Sequence, residues 1–277
     1  MESDISYPLD GGRESFSIEH GDRYYKFFSD MGRCYFIIVL LDSKIHGTIS
    51  GVIKGVSIAN KSINALYVAD LKVHPKSRGY GLPSKMIIKG LRSYLTNSKY
   101  RDWSLLFFVG MHGYSGNISK SFKGYHLGLL ASPISKQRIY IVSPSKLSFI
   151  NGVAPTTDFN DILELSPDKI SKITVNSGKK DLRRSSNGSK ILLAHVHPSV
   201  GKNFISDLIC LSSTVSDKYH GHDVCFSIDN RHKDMINYLS MNGITTDTFS
   251  SVFVFRWPIF GPSLKNIEYV SISTSEI

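Results

Sequence analysis

Cysteine is scarce in this chain: 277 residues hold Cys34, Cys210 and Cys225 and no others, and no two of them stand in a Cys-x-x-Cys spacing. An odd, scattered set of this kind excludes a secreted disulfide framework and makes a reducing cytosol the expected compartment, so the chain is read as cytoplasmic. Long apolar runs are missing too. The longest, Phe36 to Leu41, is far too short to span a bilayer. The first residues, MESDISYPLDGG, carry Glu2 and Asp4 and no apolar stretch, so no secretory signal is read there. Acidic residues are outnumbered, with 23 Asp and Glu against 33 Lys and Arg, for a net charge of +10. That balance favours an anionic partner: nucleic acid, a membrane surface or a phosphorylated cofactor. Charge alone does not choose among them.

What is present is ordinary globular material. Hydrophobic residues make up 41% and charged residues 20%, enough to build a core from burial without metals or disulfides. The length is comfortable for two domains. The first twenty residues mix Gly, Ser and charges and read as a loop or a short leading helix. From Cys34, CYFIIVLLD, TISGVIKGVSI and INALYVADLKV read as three meandering strands, broken at Asp-Ser-Lys and Asn-Lys-Ser. LPSKMIIKGLRSYLTN follows as a helix, with Ile87, Leu91 and Leu95 at helical spacing and Pro83 in its first turn. WSLLFFVGM is a buried strand, NISKSFKG a helix and RIYIV a strand.

DFNDILEL and DKISKI read as short helices. SGKKDLRRSSNGSK reads as a basic linker or long hairpin tip, and with no aromatics among its charges its plain reading is a solvated loop. The remainder alternates strand (ILLAHVH), helix (NFISDLICLSSTV), strand (DVCFSI), helix (KDMINYLSMNG) and strand (SSVFVFRW), with Gly243 placed to stop the last helix. The final order echoes the end of the first half, which points to a weak two-fold repeat.

The most informative stretch is YVADLKVHPKSRGYGLPSKMIIKGL. A strand delivers the chain into a loop with two glycines one residue apart, and a helix follows at once. Glycines let the backbone approach a phosphate and turn its N–H groups inward, and the helix start adds unpaired donors. Arg78 adds a charged fork suited to phosphate oxygens. A Rossmann turn does not fit, because GYGLPS lacks the third glycine and five residues, not none, lie between Val73 and Gly79. A P-loop does not fit either, since no Gly-Lys-Ser/Thr follows.

The run Val-His-Pro-Lys-Ser-Arg-Gly-Tyr-Gly closely resembles the acyl-CoA loop of the GNAT N-acetyltransferase superfamily, whose pattern is Gln/Arg-x-x-Gly-x-Gly/Ala. Lys76, Gly79 and Gly81 fall on its defined positions, with Lys in place of Gln or Arg. The resemblance implies an α/β (α+β) chain with the GNAT fold, a mixed and mostly antiparallel sheet flanked by helices. It also implies that the backbone of Leu71 and Val73 bonds a pantetheine arm, while Arg78, Gly79, Tyr80, Gly81 and the helix start near Ser84 hold a pyrophosphate. Asn117 belongs to the same cofactor set. Pro83 departs from the family pattern and removes one donor. The implied chemistry is direct transfer of an acetyl or other acyl group from CoA to an amine: the amine attacks the thioester, a base takes its proton and an acid protonates the thiolate.

The family often places a glutamate early in this strand, but Asn64-Ala65-Leu66-Tyr67 carries no carboxylate, which leaves Asp70 as the strand's one acid. Asp70 is a candidate base, or a loop anchor, with a water-relayed base as the alternative. Tyr125, one residue out of the family register after Asn117, is the candidate proton donor, with Tyr114 a second. SIDNRHKDMINYLSMNGITTDTFSSVFVF resembles a GNAT C-terminal segment without an Arg-Gly-x-Gly loop before it, which implies a tandem protein whose second copy is degenerate. The expected division is 1–145 for the acetyltransferase domain, 146–189 for a connecting segment and 190–277 for the second copy.

His195-x-His197 and His220-x-His222 have ligand-like spacing, yet no acid cluster accompanies them and no metal is expected. The expected partners are acetyl-CoA as co-substrate and a small-molecule or peptide amine, with no membrane. Two readings of other classes stand beside this one: a non-catalytic acyl-CoA sensor, and a nucleic-acid-associated protein acting through the basic linker.

Overall fold

The computed structural model describes residues 6–9, 13–112, 132–167, 172–256 and 261–277. The chain begins with β1 (Ser6–Leu9), β2 (Glu14–Glu19) and the short helix α1 (Tyr24–Ser29). A meander of β3 (Arg33–Leu41), β4 (Lys44–Ile58) and β5 (Lys61–Val73) leads into α2 (Leu82–Thr96) and β6 (Leu105–His112). After β7 (Ser132–Val142) and α3 (Pro144–Ser148) come four short strands, β8 (Ile162–Glu164), β9 (Ile173–Thr174), β10 (Asp181–Arg184) and β11 (Lys190–Ile191). The last part runs β12 (Leu193–Val196), α4 (Phe204–Lys218), β13 (Asp223–Asp229), α5 (Lys233–Met241), β14 (Thr248–Arg256) and β15 (Tyr269–Ser271).

The meander turns are two-residue loops, Asp42-Ser43 and Ala59-Asn60, all four residues at positive φ. That backbone matches the right-handed twist of the strands it joins. In α2, Leu82 and Met86 are buried, Gly90 passes close to Ile37, and the amide of Lys85 makes the first helical bond, to Gly81. Gly243 stops α5 at φ 72, where the amide of Ile244 reaches back to Leu239.

Among the described residues, eleven strands form one mixed, mostly antiparallel sheet, ordered β15-β8-β4-β5-β6-β14-β7-β13-β12-β9 with β3 on β4. Its centre holds two β-α-β units. β5 and β6 are parallel and joined by α2; β12 and β13 are parallel and joined by α4. The units exchange their last strands. β14, from the second half, lies against β6, while β7, from the first half, lies against β13, and β14 and β7 pair with each other in the middle. The cores follow the exchange: Val252 and Val254 of β14 pack with Phe107 and Val52, whereas Tyr140 and Val142 of β7 pack with Phe226, Leu208 and Met235.

Three local expectations are corrected. Residues 6–9 and 14–19 are strands, and with β10 and β11 they form a second, four-stranded sheet. Their apolar residues alternate (Tyr7 and Leu9, Phe16 and Ile18), and it is this period of two that folds, with serines and charges between. DFNDILEL carries a strand, β8, because Leu163 and Leu165 bury completely between β4 and β15. Of DKISKI, residues 168–171 lie outside the described residues, and Ile173 opens β9, on the edge of β12. Residues 177–190 form a hairpin with Gly188 at φ 69, and its charges are engaged: Arg183 with Glu19 at 2.7 Å, Arg184 with Glu14, Lys190 with Asp181 at 2.9 Å and Lys179 with Asp30 at 2.5 Å.

Candidate functional site

β5 is the strand on which the site is built. It pairs with β6 only over Ala65–Tyr67 against Leu105–Phe107. From Val68 to Val73 no strand among the described residues lies along that side of β5. Backbone groups facing such a gap can bond an extended ligand as a strand would. Within the gap β5 bulges. Lys72 stands opposite Thr48 and Ala69 opposite Ser50, so Asp70 and Leu71 share one partner residue, Ile49. Asp70 sits at φ 57, a left-handed conformation that costs a non-glycine residue on the order of 1 kcal/mol.

The Asp70 carboxylate turns inward and meets Lys72 Nζ at 2.8 and 2.9 Å on its two oxygens, with both side chains nearly sealed from water. Thr48 Oγ1 donates to the Asp70 carbonyl at 3.3 Å. Beside it, Tyr24 Oη and Ser50 Oγ are 2.9 Å apart. Burial, and then the Asp70 charge, hold the Tyr24 phenol well above the ordinary tyrosine value. A second buried pair, Lys54 Nζ to Glu276 Oε2 at 2.6 Å, lies under the same strands, with Ser166 donating to that oxygen at 2.7 Å. Lys180 completes the cluster. Its Nζ donates to the Ile277 main-chain oxygen and stands 5.1 Å from the Phe27 ring, and burial pushes its ammonium down to about 8 against an opposing pull from Asp70. It also lines a cavity of about 40 Å³ walled by Leu9, Phe16, Ile139 and Leu193, with His195 and Thr274 at its polar side.

Past Val73 the chain makes a tight loop. His74 Nδ1 accepts from the Lys76 amide at 3.2 Å, and the amides of Ser77 and Arg78 return to His74 and Pro75. Ser77 is buried with its Oγ 2.5 Å from His46 Nδ1, which ties the loop to β4. Gly79 and Gly81 follow at φ 89 and 65, and a Cβ built on either would meet nothing within 4 Å. What the glycines supply is therefore a backbone conformation and an open approach, not relief from crowding. Among the described residues, the amides of Gly79, Tyr80, Gly81, Leu82 and Ser84 donate to no acceptor, and the side chains of Lys76, Arg78 and Tyr80 are exposed around them. Five free donors, a helix start and two cations make an anion cradle.

Asp70, Leu71, Val73, Lys76, Arg78, Gly79, Tyr80, Gly81 and Ser84 thus lie on one continuous strand, loop and helix start. Asn117, Tyr125 and Tyr114 fall outside the described residues. Lys72, Lys180, Tyr24 and the His46–Ser77 contact were not singled out from the sequence. Lys180 sits in a Gly/Ser-rich basic stretch that reads as solvated, and only the packing of β10 against β2 draws it inside.

The second unit has a loop in the corresponding place, and it also opens on Val-His-Pro, at residues 196–198. It is shorter and closed. Asp207 Oδ2 accepts the Ser199 amide at 3.0 Å and Lys172 Nζ at 2.7 Å. Burial alone would raise the Asp207 carboxyl, but these bonds hold it below its ordinary value. Asp158 Oδ1 accepts the Lys202 amide at 3.3 Å and lies 2.9 Å from where a Cβ on Gly201 would be. Carboxylates thus hold two amides of this loop, while the N-cap Asn203 at the start of α4 makes no side-chain cap bond.

The histidine pairs do not converge. His195 Nδ1 is 2.9 Å from Thr274 Oγ1, His197 Nε2 is 3.3 Å from Ser271 Oγ, and His222 Nδ1 is 3.2 Å from the Tyr219 carbonyl. Among the described residues no group of three or more His, Cys, Asp or Glu side chains is arranged to hold a metal.

No family model matches the sequence, and no curated protein matches it. Solved structures do. The chain is similar to Saccharomyces cerevisiae N-myristoyltransferase with bound myristoyl-CoA, at 10% identity and TM-score 0.49, covering 93% of this chain and 78% of that one. It is similar to a tandem GNAT protein from the clavulanic acid biosynthesis pathway, at 10% identity and TM-score 0.45, covering 83% and 84%. It is also similar to a GCN5-related N-acetyltransferase from Sphaerobacter thermophilus, at 10% identity and TM-score 0.41, covering 83% and 82%. The likeness to these proteins is one of backbone course and not of sequence.

Proposed function

We propose that this chain is an acyl-CoA-dependent N-acyltransferase whose first β-α-β unit holds the co-substrate. The observation that carries this reading is the cradle at residues 76–84, set at the end of a strand whose open edge begins at the Asp70 bulge. In this reading Lys76, Arg78 and the amides of Gly79, Tyr80, Gly81, Leu82 and Ser84 hold the pyrophosphate, while the backbone of Leu71 and Val73 orients the pantetheine arm. The gap between β5 and β6 admits the thioester, acetyl being the acyl group proposed. The acceptor is a small-molecule or peptide amine, and the site of action the cytoplasm.

The amine must lose a proton as it attacks. Asp70 is the carboxylate nearest the gap in sequence, and its bond to Lys72 makes it first an anchor of the bulge and then a proton acceptor through relay. Tyr125 remains the proposed donor to the departing thiolate.

Calorimetry with acetyl-CoA on the wild type and on an Arg78→Ala/Gly81→Glu variant tests the reading. Binding by the wild type and its loss in the variant support it and open a screen of amines. No binding by a folded wild type would falsify it.

A further inference from the structure

Residues 43–101 hold eleven Lys and Arg and a single acid, Asp70. That acid is closed on Lys72 inside the molecule. Lys44, Lys76, Arg78, Lys85, Lys89 and Arg92 are exposed, and none of them makes an ion pair among the described residues. The net positive charge of the chain is therefore concentrated around the first β-α-β unit.

The same region carries apolar side chains where water should be. α2 packs on the sheet through Leu82, Met86 and Gly90, so its opposite side is expected to be polar. That side instead presents Ile88, Leu91 and Leu95, at 49, 50 and 59% exposure and helically spaced, with Lys85, Lys89 and Arg92 along one flank. At the end of the sheet where α2 begins, the β3–β4 turn adds Leu41 and Ile45, at 45 and 48% exposure. β4 passes under the inner side of α2 there: Gly47 stands opposite Val73, and the buried Met86 has its Cε 3.3 Å from where a Cβ on Gly47 would be. A row of apolar side chains flanked by cations is a surface suited to a lipid interface.

We propose that this face docks on an anionic membrane surface, with α2 lying along the headgroups, Ile88, Leu91 and Leu95 in the acyl boundary, and Lys85, Lys89 and Arg92 on lipid phosphates. No spanning segment is needed for such binding, so the absence of a long apolar run does not bear on it. Charge complementarity selects the occupant. A second copy docked face to face would set the cations of α2 against their own images, and a nucleic-acid backbone would leave the leucine row without a partner. Anionic lipid satisfies both halves of the surface.

The test is flotation of the full chain with phosphatidylcholine vesicles, with and without an equal part of phosphatidylserine, at low and raised salt. Two variants accompany it, Leu91→Asn/Leu95→Asn and Lys89→Gln/Arg92→Gln, each checked for unchanged circular dichroism and unfolding midpoint. The expected result is binding to the mixed vesicles alone, weakened about tenfold or more by either variant and by salt. Several outcomes overturn the proposal: no flotation; flotation indifferent to the leucine pair; duplex DNA binding that depends on the cations and not the leucines; or self-association lost with the leucine pair in the absence of any lipid binding.

Discussion

The two β-α-β units of this chain start from the same three residues, Val-His-Pro, and arrive at opposite ends. After Val73 the loop has room for eight residues, two of them glycines at positive φ, and presents five free amides next in the chain to the exposed Lys76 and Arg78. After Val196 the loop is shorter, and Asp158 and Asp207 bond the amides of Lys202 and Ser199. A helix start attracts negative charge wherever it lies. One loop has two of its amides bonded to carboxylates; among the described residues the other, over residues 76–84, has none so bonded. In the function proposed above, the first loop is the one that takes the anion, and the two carboxylates of the second disfavour an anion there.

The comparison can be broken most sharply at the cradle. Arg78→Ala/Gly81→Glu is expected to abolish acetyl-CoA binding in calorimetry, because it removes a charge-assisted partner and puts a carboxylate where phosphate is to sit. Lys202→Ala in the other loop should leave the affinity unchanged, and an equal loss there would dissolve the distinction between the units.

A slightly smaller effect is expected beneath β5. Lys72→Met strands the Asp70 carboxylate in the interior and should cost about 3–5 kcal/mol in urea unfolding. Adding Asp70→Asn should return much of that stability, since the pair is then removed together. A single variant as stable as the wild type would mean that water reaches the pair.

Lys180 supplies a test by pH. Its ammonium titrates near 8 when folded and near 10.5 when unfolded. Between those values the unfolded state binds more protons, so this group's contribution to stability rises with pH through the window and is unfavourable below it. Lys180→Met should be more stable than the wild type at pH 7 by up to about 3 kcal/mol, and the gap should close toward pH 10.5. Both proteins carry Cys225→Ala, because the Cys225 thiol and Lys180 move each other's titration, whereas Tyr67, whose value burial raises, does not sense Lys180. A gap constant with pH would show the side chain to be neutral or hydrated.

The smallest effect is at the end of α5. Gly243→Ala, at φ 72, should lower stability by about 1 kcal/mol and leave acetyl-CoA binding untouched.

The legible parts of the sequence are those whose signal is local. The three-strand meander, α2, β6, α4, β13, α5 and β14 each carry their own periodicity, and residues 76–84 carry their own loop grammar. Other features depend on distant residues. β1 and β2 are strands because β10 gives them an edge, and the charges between their apolar residues hide the alternation in a single pass. Residues 162–164 form a strand only because β4 and β15 lie on either side. Lys180 reads as a surface lysine until the small sheet folds over it. The place of β14 between β6 and β7 has no signature in either segment, since partner choice in a sheet is set by the whole arrangement and not by the strand.

That exchanged strand has a consequence in time. Residues 61–112, with the cradle among them, leave the ribosome early, but β6 gains its neighbour only when residues 248–256 have been made. At ordinary rates of synthesis the delay is about 7–30 s, during which a long hydrophobic strand edge stands open. The first unit must therefore wait, exposed, for the second, and a cell making this protein has reason to supply a chaperone during that interval.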